Sequence, residues 1–478
     1  MFNSKFQRLA LCALLLSAAS GCDVLTQDVP SALTAEDAFA NPDRIANSVI
    51  GMYDQLQNAE FLGGRALIYS DIRSDDTNPA AFFGGIGTFT ANANDGTVLL
   101  AWTGGYRTLY GANFFLQEIA KNPGKVSAPL EAQYIGEAKF IRGLVYFHLV
   151  NLFAQPYNFT ADASHPGVIL QLTAPDAASA FDPSQAKPRS TVREVYTQIE
   201  SDLNDAITGL PETYPTAFER TGRATKDAAR TLLSRVYLYQ GRYADAARLA
   251  GEVITGNRHT LAATPDVPFR LATFNNPESI FSVAMNASDN PNTNNALGQH
   301  YRSRAGSGDI SVNPYALIPV TSFPLDDRRR LLLLSPTTPP TSTTTPVVLT
   351  QKYREASGDY VPIARYAETL LNRAEGLAQT ATNVSAEAIT LLNLVRDRSK
   401  PATSPSYSAS NFADKSALIE AILLERRLEL AFEGHRLYDL FRYKRSSSRV
   451  AYGAERAVLP IPLVDTQQNP NLVQNPGY

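Results

Sequence analysis

The sequence predicts a mainly α-helical fold, a helical-repeat scaffold with long irregular loop insertions and little β-structure. Apolar and small residues recur at helical spacing in well-separated segments, whereas the stretches between them are rich in Asn, Asp, Gly, Thr and Pro without periodicity. The clearest periodic segment is 226–255, where Leu233, Tyr237, Gly241, Tyr243 and Ala246 fall at the spacing of a tetratricopeptide unit, followed by the small Ala250. Gly241 turns the chain between two helices, and Ala246 and Ala250 permit their close approach. The scaffold is therefore read as tetratricopeptide-like.

The other helices follow in chain order: 44–58, 106–120, 130–153 and 190–209. The last opens with Ser190 as N-cap and Glu194 in its first turn, and carries Val195, Ile199 and Leu203 on one face. A second two-helix unit spans 364–398, with Ala367, Leu371, Ala374 and Ala378 on one helix and Ile389, Leu392 and Val395 on its partner. A charged helical segment closes the series at 416–443. Unequal spacing between these units excludes a regular solenoid. The insertions lie around 71–97, 286–315 and 335–346. The first two read as surface loops, and the third as a Pro/Thr tract across which Leu331–Leu334 and Val347–Tyr353 pair as two strands.

Residues 1–21 read as a signal peptide: Lys5 and Arg8 precede an apolar run from Leu9 to Leu16, then small residues up to Gly21. That run is far below the roughly 20 residues that span a bilayer, and no later stretch reaches that length. Ala19-Ser20-Gly21-Cys22 resembles a bacterial lipobox, although Ala19 stands where Leu or Val is usual. Cys22 is then the lipid attachment point, residues 22–43 an anchor and linker, and 44–478 a single folded domain. The only other cysteine is Cys12 within the leader, so no thiol chemistry is available after Cys22. The net charge of -3 is no footprint of nucleic-acid binding.

Catalytic patterns are absent from the sequence. The five histidines (His148, His165, His259, His300, His435) never stand at the i, i+4 spacing of HExxH zinc sites, and there is neither a G-x-S-x-G elbow nor a P-loop. Asp289–Gly298 is rich in oxygen side chains, but Pro291 occupies an EF-hand ligand position and no Glu stands at the twelfth. No metal or cofactor is expected. Glu368 and Glu375 share a face at about 10.5 Å of helical rise, beyond the ~6.5–9.5 Å of inverting glycosidases. Arg365 and Arg373 stand beside them in sequence, so both glutamates read as ion-paired and structural. Glu425, Glu429 and Glu433 form an i, i+4 stripe that needs compensation from Arg426, Arg436 or the rest of the chain.

Glu425-Arg426-Arg427-x-Glu429-Leu430-Ala431-Phe432-Glu433-Gly434-x-Arg436-x-Tyr438-Asp439-Leu440-x-Arg442 resembles the signature of the SusD/RagB family. Arg365-Tyr366-Ala367-Glu368-x-x-Leu371-x-x-Ala374-Glu375 is similar to the family's preceding helix, and Asp327-x-Arg329 with Lys352-Tyr353 to the segment before it. Trp102-x-x-x-Tyr106-x-x-Leu109-Tyr110-x-Ala112-Asn113 and the ending Asn469-Pro470-Asn471-Leu472-x-Gln474-Asn475-Pro476-Gly477-Tyr478 also fit. The resemblance implies a non-catalytic, lipid-anchored outer-membrane protein that faces the exterior, binds nutrient oligomers, commonly oligosaccharides, and forms a lid over a SusC-like TonB-dependent transporter. It also implies that the first two insertions shape the binding face. Candidates there are Arg73, Asp75, Asp76, Asn78, Phe82 and Phe83 from the first loop, and Asn292, Asn294, Asn295, His300 and Tyr301 from the second. Trp102, the only tryptophan, belongs to the scaffold motif, so a stacking platform rests on Phe or Tyr. Peptide capture and a helical-repeat adaptor for another protein stay open as alternatives.

Overall fold

The computed structural model describes residues 34–79, 81–176, 178–179, 182–291, 297–301, 309–313, 323–334, 348–354 and 358–478. Cys22, the leader, Asn292, Asn294, Asn295 and the 335–346 insertion lie outside the described residues. Among the described residues the chain is mainly helical, with two small two-stranded sheets. Pro42–Leu56 packs on Gly96–Lys121, and the succession continues through Ala128–Phe153, Val192–Gly209, Lys226–Tyr239, Tyr243–Thr255 and Tyr366–Thr380. Ala386–Ser399 and Lys415–Glu429 then both pack on Tyr366–Thr380. Each of these helices thus lies against one named before it, although the chain between Thr255 and Tyr366 runs through long insertions.

The 226–255 unit is two helices joined at Gly241, whose φ of +73° suits a residue without Cβ. Close approach is required at Gly376, where a Cβ would stand 2.5 Å from the Tyr243 carbonyl oxygen. Trp102 is buried between Tyr106 and Phe153, with ring centroids at 4.7 and 4.9 Å. Some local expectations shift. Thr191, not Ser190, caps Val192–Gly209, because its side chain and Glu194 form a reciprocal capping box. Leu331–Leu333 complete a short helix, Arg328–Leu333, in place of the expected strand; only Leu334 makes a bridge, to Thr350. The 71–97 insertion is not structureless: it contains the strand Thr77–Pro79, a 3-10 turn at Ala81–Phe83 and the helix Gly84–Thr88.

The 416–443 segment is two helices, Lys415–Glu429 and Arg436–Arg442, separated by a turn in which Phe432 and Gly434 have φ of 66° and 78°. Glu433 therefore leaves the helix that carries Glu425 and Glu429, yet all three carboxylates are buried. Their compensation comes from distant cations. Arg365 donates to Glu433 (2.7 Å) and Glu278 (2.6 Å), Arg398 to Glu278 and Glu429 (2.6 and 2.5 Å), Lys352 to Glu433 (2.6 Å) and Arg329 to Glu425 (2.5 Å). Burial alone pushes the Glu433 pKa up, but Arg365 and Lys352 outweigh it and hold the carboxyl below its ordinary range. Arg426 instead faces Asn372 (2.6 Å) and Asp439 (3.3 Å). Glu368 accepts two bonds of 2.6 Å from Arg235, and Glu375 pairs with Arg442 and Tyr443. Their sequence neighbours point elsewhere: Arg365 into the glutamate cluster and Arg373 to Glu387.

Candidate functional site

The first insertion starts from a buried carboxylate. Asp71 ends the Arg65–Asp71 helix at 2% exposure and accepts hydrogen bonds from the Tyr301 hydroxyl (2.7 Å) and the Gly434 N–H (3.2 Å). Burial, with no ion partner among the described residues, pushes the Asp71 carboxyl up to about 7. The next turn runs inward. Arg73 is 1% exposed and donates to the Tyr69 and Ala457 carbonyl oxygens at 2.8 and 2.9 Å, so it joins the loop to the C-terminal segment.

Asp75 and Asp76 pin the loop to the signature segment. Arg427 donates to Asp76 (3.0 Å) and Arg436 to Asp75 (3.2 Å). Arg427 stands on the helix that carries Glu425 and Glu429, but its guanidinium turns to the loop while their carboxylates turn to Arg329 and Arg398. Past this clamp, Thr77–Pro79 pairs antiparallel with Ile310–Val312, in the register Asn78 opposite Ser311. Asn313 closes the pairing: its N–H donates to the Asp76 carbonyl oxygen at 2.8 Å. Arg449 secures the other side through the Ile72 carbonyl oxygen at 2.8 Å.

On this platform Asn78 is exposed and Phe82 presents 53% of its surface. Phe82, Phe83 and His300 form an aromatic cluster with centroids 4.9–5.1 Å apart, and the Arg65 guanidinium lies 5.2 Å from the Phe82 ring. Arg65 is held by Glu60. The His300 Nδ1–H donates to Asp309 (2.9 Å), while burial holds the ring's pKa below the ordinary value. A buried neutral imidazole thus braces Phe82 from behind.

The two insertions therefore meet, but their residues divide. Arg73, Asp76, Phe83, His300 and Tyr301 are buried and shape the platform; Asp75 is half-buried in the clamp; Phe82 and Asn78 face outward. The physical reason is satisfaction of polar groups: Arg73, Asp76 and Tyr301 already have partners inside the protein, and His300 is bonded through Nδ1. Arg65, Glu60, Asp309, Arg427 and Arg449 also build the platform, and only Arg427 had a local signal, its place out of register with the Glu425–Glu429 stripe. Among the described residues no cluster of His, Cys, Asp or Glu could hold a metal ion, and no helix is long and apolar enough to cross a membrane.

Comparison with known proteins gives a consistent set of likenesses. Residues 28–238 match a family model described as "Starch-binding associating with outer membrane", and residues 343–457 match one described as "SusD family". SusD-like protein P2 of Formosa agariphila is 26% identical, with 97% of this chain and 98% of that protein covered. A crystal structure of a SusD superfamily protein from Bacteroides fragilis is 28% identical with a TM-score of 0.78, covering 91% of this chain and all of that one. A laminarin-binding SusD-like protein is 25% identical with a TM-score of 0.72, covering 92% of this chain and 100% of its own.

Proposed function

The chain belongs to the SusD/RagB family of carbohydrate-binding, outer-membrane-associated proteins, which are not enzymes, and from that premise we propose that it captures oligosaccharides at the cell surface and passes them to a SusC-like TonB-dependent transporter. Residues 1–21 direct export, Cys22 carries the lipid that holds the chain on the exterior face, and residues 44–478 form the capturing unit. Lipid attachment supplies membrane affinity without a spanning helix, at about 0.8 kcal/mol per buried CH₂.

The observation that carries the proposal is the exposed Phe82 ring on a loop clamped from below. A sugar ring offers an apolar C–H face to an aromatic plane and hydroxyls to planar amides. Phe82 supplies the first and Asn78, four residues earlier, the second. Clamping through Asp75, Asp76 and Arg449 lowers the ordering cost on binding, because the loop is already fixed. The relative whose name specifies laminarin makes laminarin oligosaccharides the first ligand to test.

The test is titration calorimetry of the soluble Asp23–Tyr478 chain against laminarin and starch oligosaccharides and a set of peptides, with co-purification of the full-length lipoprotein from membranes. Binding of an oligosaccharide together with recovery of a TonB-dependent barrel is expected. Binding of no oligosaccharide, with no barrel recovered, overturns the proposal; peptide binding alone replaces the ligand class.

A further inference from the structure

Away from the Phe82 loop, a cavity of about 550 Å³ opens between the Pro42–Leu56 helix, the Ala217–Gly222 helix and the strand Ser279–Val283. This lies within the roughly 300–1,000 Å³ range of small-molecule pockets. Leu56, Phe281, Val283 and Met285 form its apolar floor. Ile50 and Phe218 stand at its lips, 60% and 55% exposed. Two large apolar side chains held open to solvent around a preformed apolar hollow mark a surface that gains by being covered.

The polar groups in the lining decide what can cover it. Most are already committed: the Tyr53 hydroxyl donates to Glu137 (2.6 Å) and accepts from the Ala224 N–H (2.9 Å), and Arg223 is bidentate on Glu137 (3.0 and 2.7 Å). Gln57 donates to the Ala284 carbonyl oxygen (2.9 Å), and Glu219 closes the capping box with Thr216. The interior therefore offers few hydrogen bonds to a polyhydroxylated ligand. Asn286 and Tyr360 add neutral polar groups to the lining, and the charged groups that remain are acidic. The Asp54 carboxylate is exposed and has neither a hydrogen-bond nor an ion partner among the described residues. The Asp289 carboxylate, also exposed, accepts from the Gln57 amide (3.3 Å) and has no cation beside it among the described residues.

We infer that this cavity is a second binding site, distinct from the glycan platform, for a small amphipathic cation: an aromatic or branched aliphatic body seated on Phe281, Met285 and Phe218, with an ammonium or guanidinium group at Asp54 and Asp289. A neutral sugar is poorly served by the dry floor, and an anion is repelled at the mouth. The site acts by binding alone and needs no chemistry from the chain. It also stands independently of the carbohydrate reading, since none of its residues belongs to the Phe82 platform.

Three probes with one body and different heads test it: phenylbutylamine, phenylbutanol and phenylbutyrate, titrated into the Asp23–Tyr478 chain and followed by ligand-observed NMR and calorimetry. The amine is expected to bind roughly five- to tenfold more tightly than the alcohol, as about 1–1.4 kcal/mol from two surface carboxylates implies, and the acid weakest of all. The double change Asp54→Asn with Asp289→Asn, at exposed positions, should bring the amine to the level of the alcohol. Ala284→Phe should remove binding of all three by filling the hollow. Binding of none of them by the unaltered chain, equal binding of amine and acid, or amine binding unmoved by the double change overturns the inference. Oligosaccharide titrations run in parallel report the platform separately.

Discussion

The glutamate cluster and the Phe82 loop use the same residue types, carboxylates, arginines and aromatic rings, and put them to opposite ends. In the cluster, Glu278, Glu429 and Glu433 are buried and face Arg365, Arg398 and Lys352 at 2.5–2.7 Å, with solvent excluded. In the loop, the same kind of pairing ends at Asp75 and Asp76, and beyond it Asn78 and Phe82 are left to water. The signature segment supplies both: its glutamates turn toward the buried cations, and Arg427 and Arg436 turn outward. One element thus fixes the interior and anchors the exposed Phe82 loop.

The comparison breaks most severely at Arg365. Arg365→Met leaves three buried carboxylates short of a cation, and removal of one partner from a buried pair costs on the order of 3–5 kcal/mol. A large fall in the urea midpoint is expected, and a midpoint unchanged from the parent protein would falsify the interior role. Next comes Asp71, at the boundary of the two regions. Its carboxyl is protonated in the folded chain up to about pH 7 but releases its proton near 3.8 when unfolded. Between those values the native state holds the extra proton, so this contribution to stability is complete below about pH 4, falls as pH rises, and is flat above about 7. The difference in unfolding free energy between the parent chain and Asp71→Asn should therefore drift by about 2–4 kcal/mol across that window, read by denaturant titrations at several pH values.

Asp76→Ala probes the clamp itself. It leaves Arg427 partly buried without its carboxylate, at a cost of about 1–3 kcal/mol, and should accelerate amide hydrogen exchange across 77–90 while the 226–255 helices stay protected. Equal protection in both chains would remove the clamp from the account. The smallest effect on stability belongs to Phe82→Ala, within about 0.5 kcal/mol because the ring is mostly exposed. Oligosaccharide affinity should nevertheless fall about tenfold, a loss of ~1.4 kcal/mol, and a calorimetric titration that finds full affinity relocates the stacking surface.

Much of the architecture is legible locally. Tyr366–Thr380 buries Ala367, Leu371, Ala374 and Ala378 on the face that its spacing marks, and Gly241 turns the chain where the tetratricopeptide-like pattern places it. The expected strand at Leu331–Leu334 fails for a local reason: Asp327 caps Arg328–Leu333 by accepting from the Arg329 N–H, and a capped leucine run goes helical as readily as extended.

What the sequence by itself determined is what depends on near neighbours: the helical periods, the small residues at close approaches, the turn at Gly241 and the spacing of the signature. Only the tertiary structure decided which cation answers each carboxylate and which loop residues point inward. Asp76 meets Arg427 across 351 positions, and Glu433 meets Arg365 across 68. An ion pair needs only a few ångströms of space and carries no preferred separation along the chain, so Arg73 and Tyr301 read as loop residues until the fold buries them. The apolar hollow beside Phe218 has the same origin, a gap among three elements that no single stretch of sequence contains.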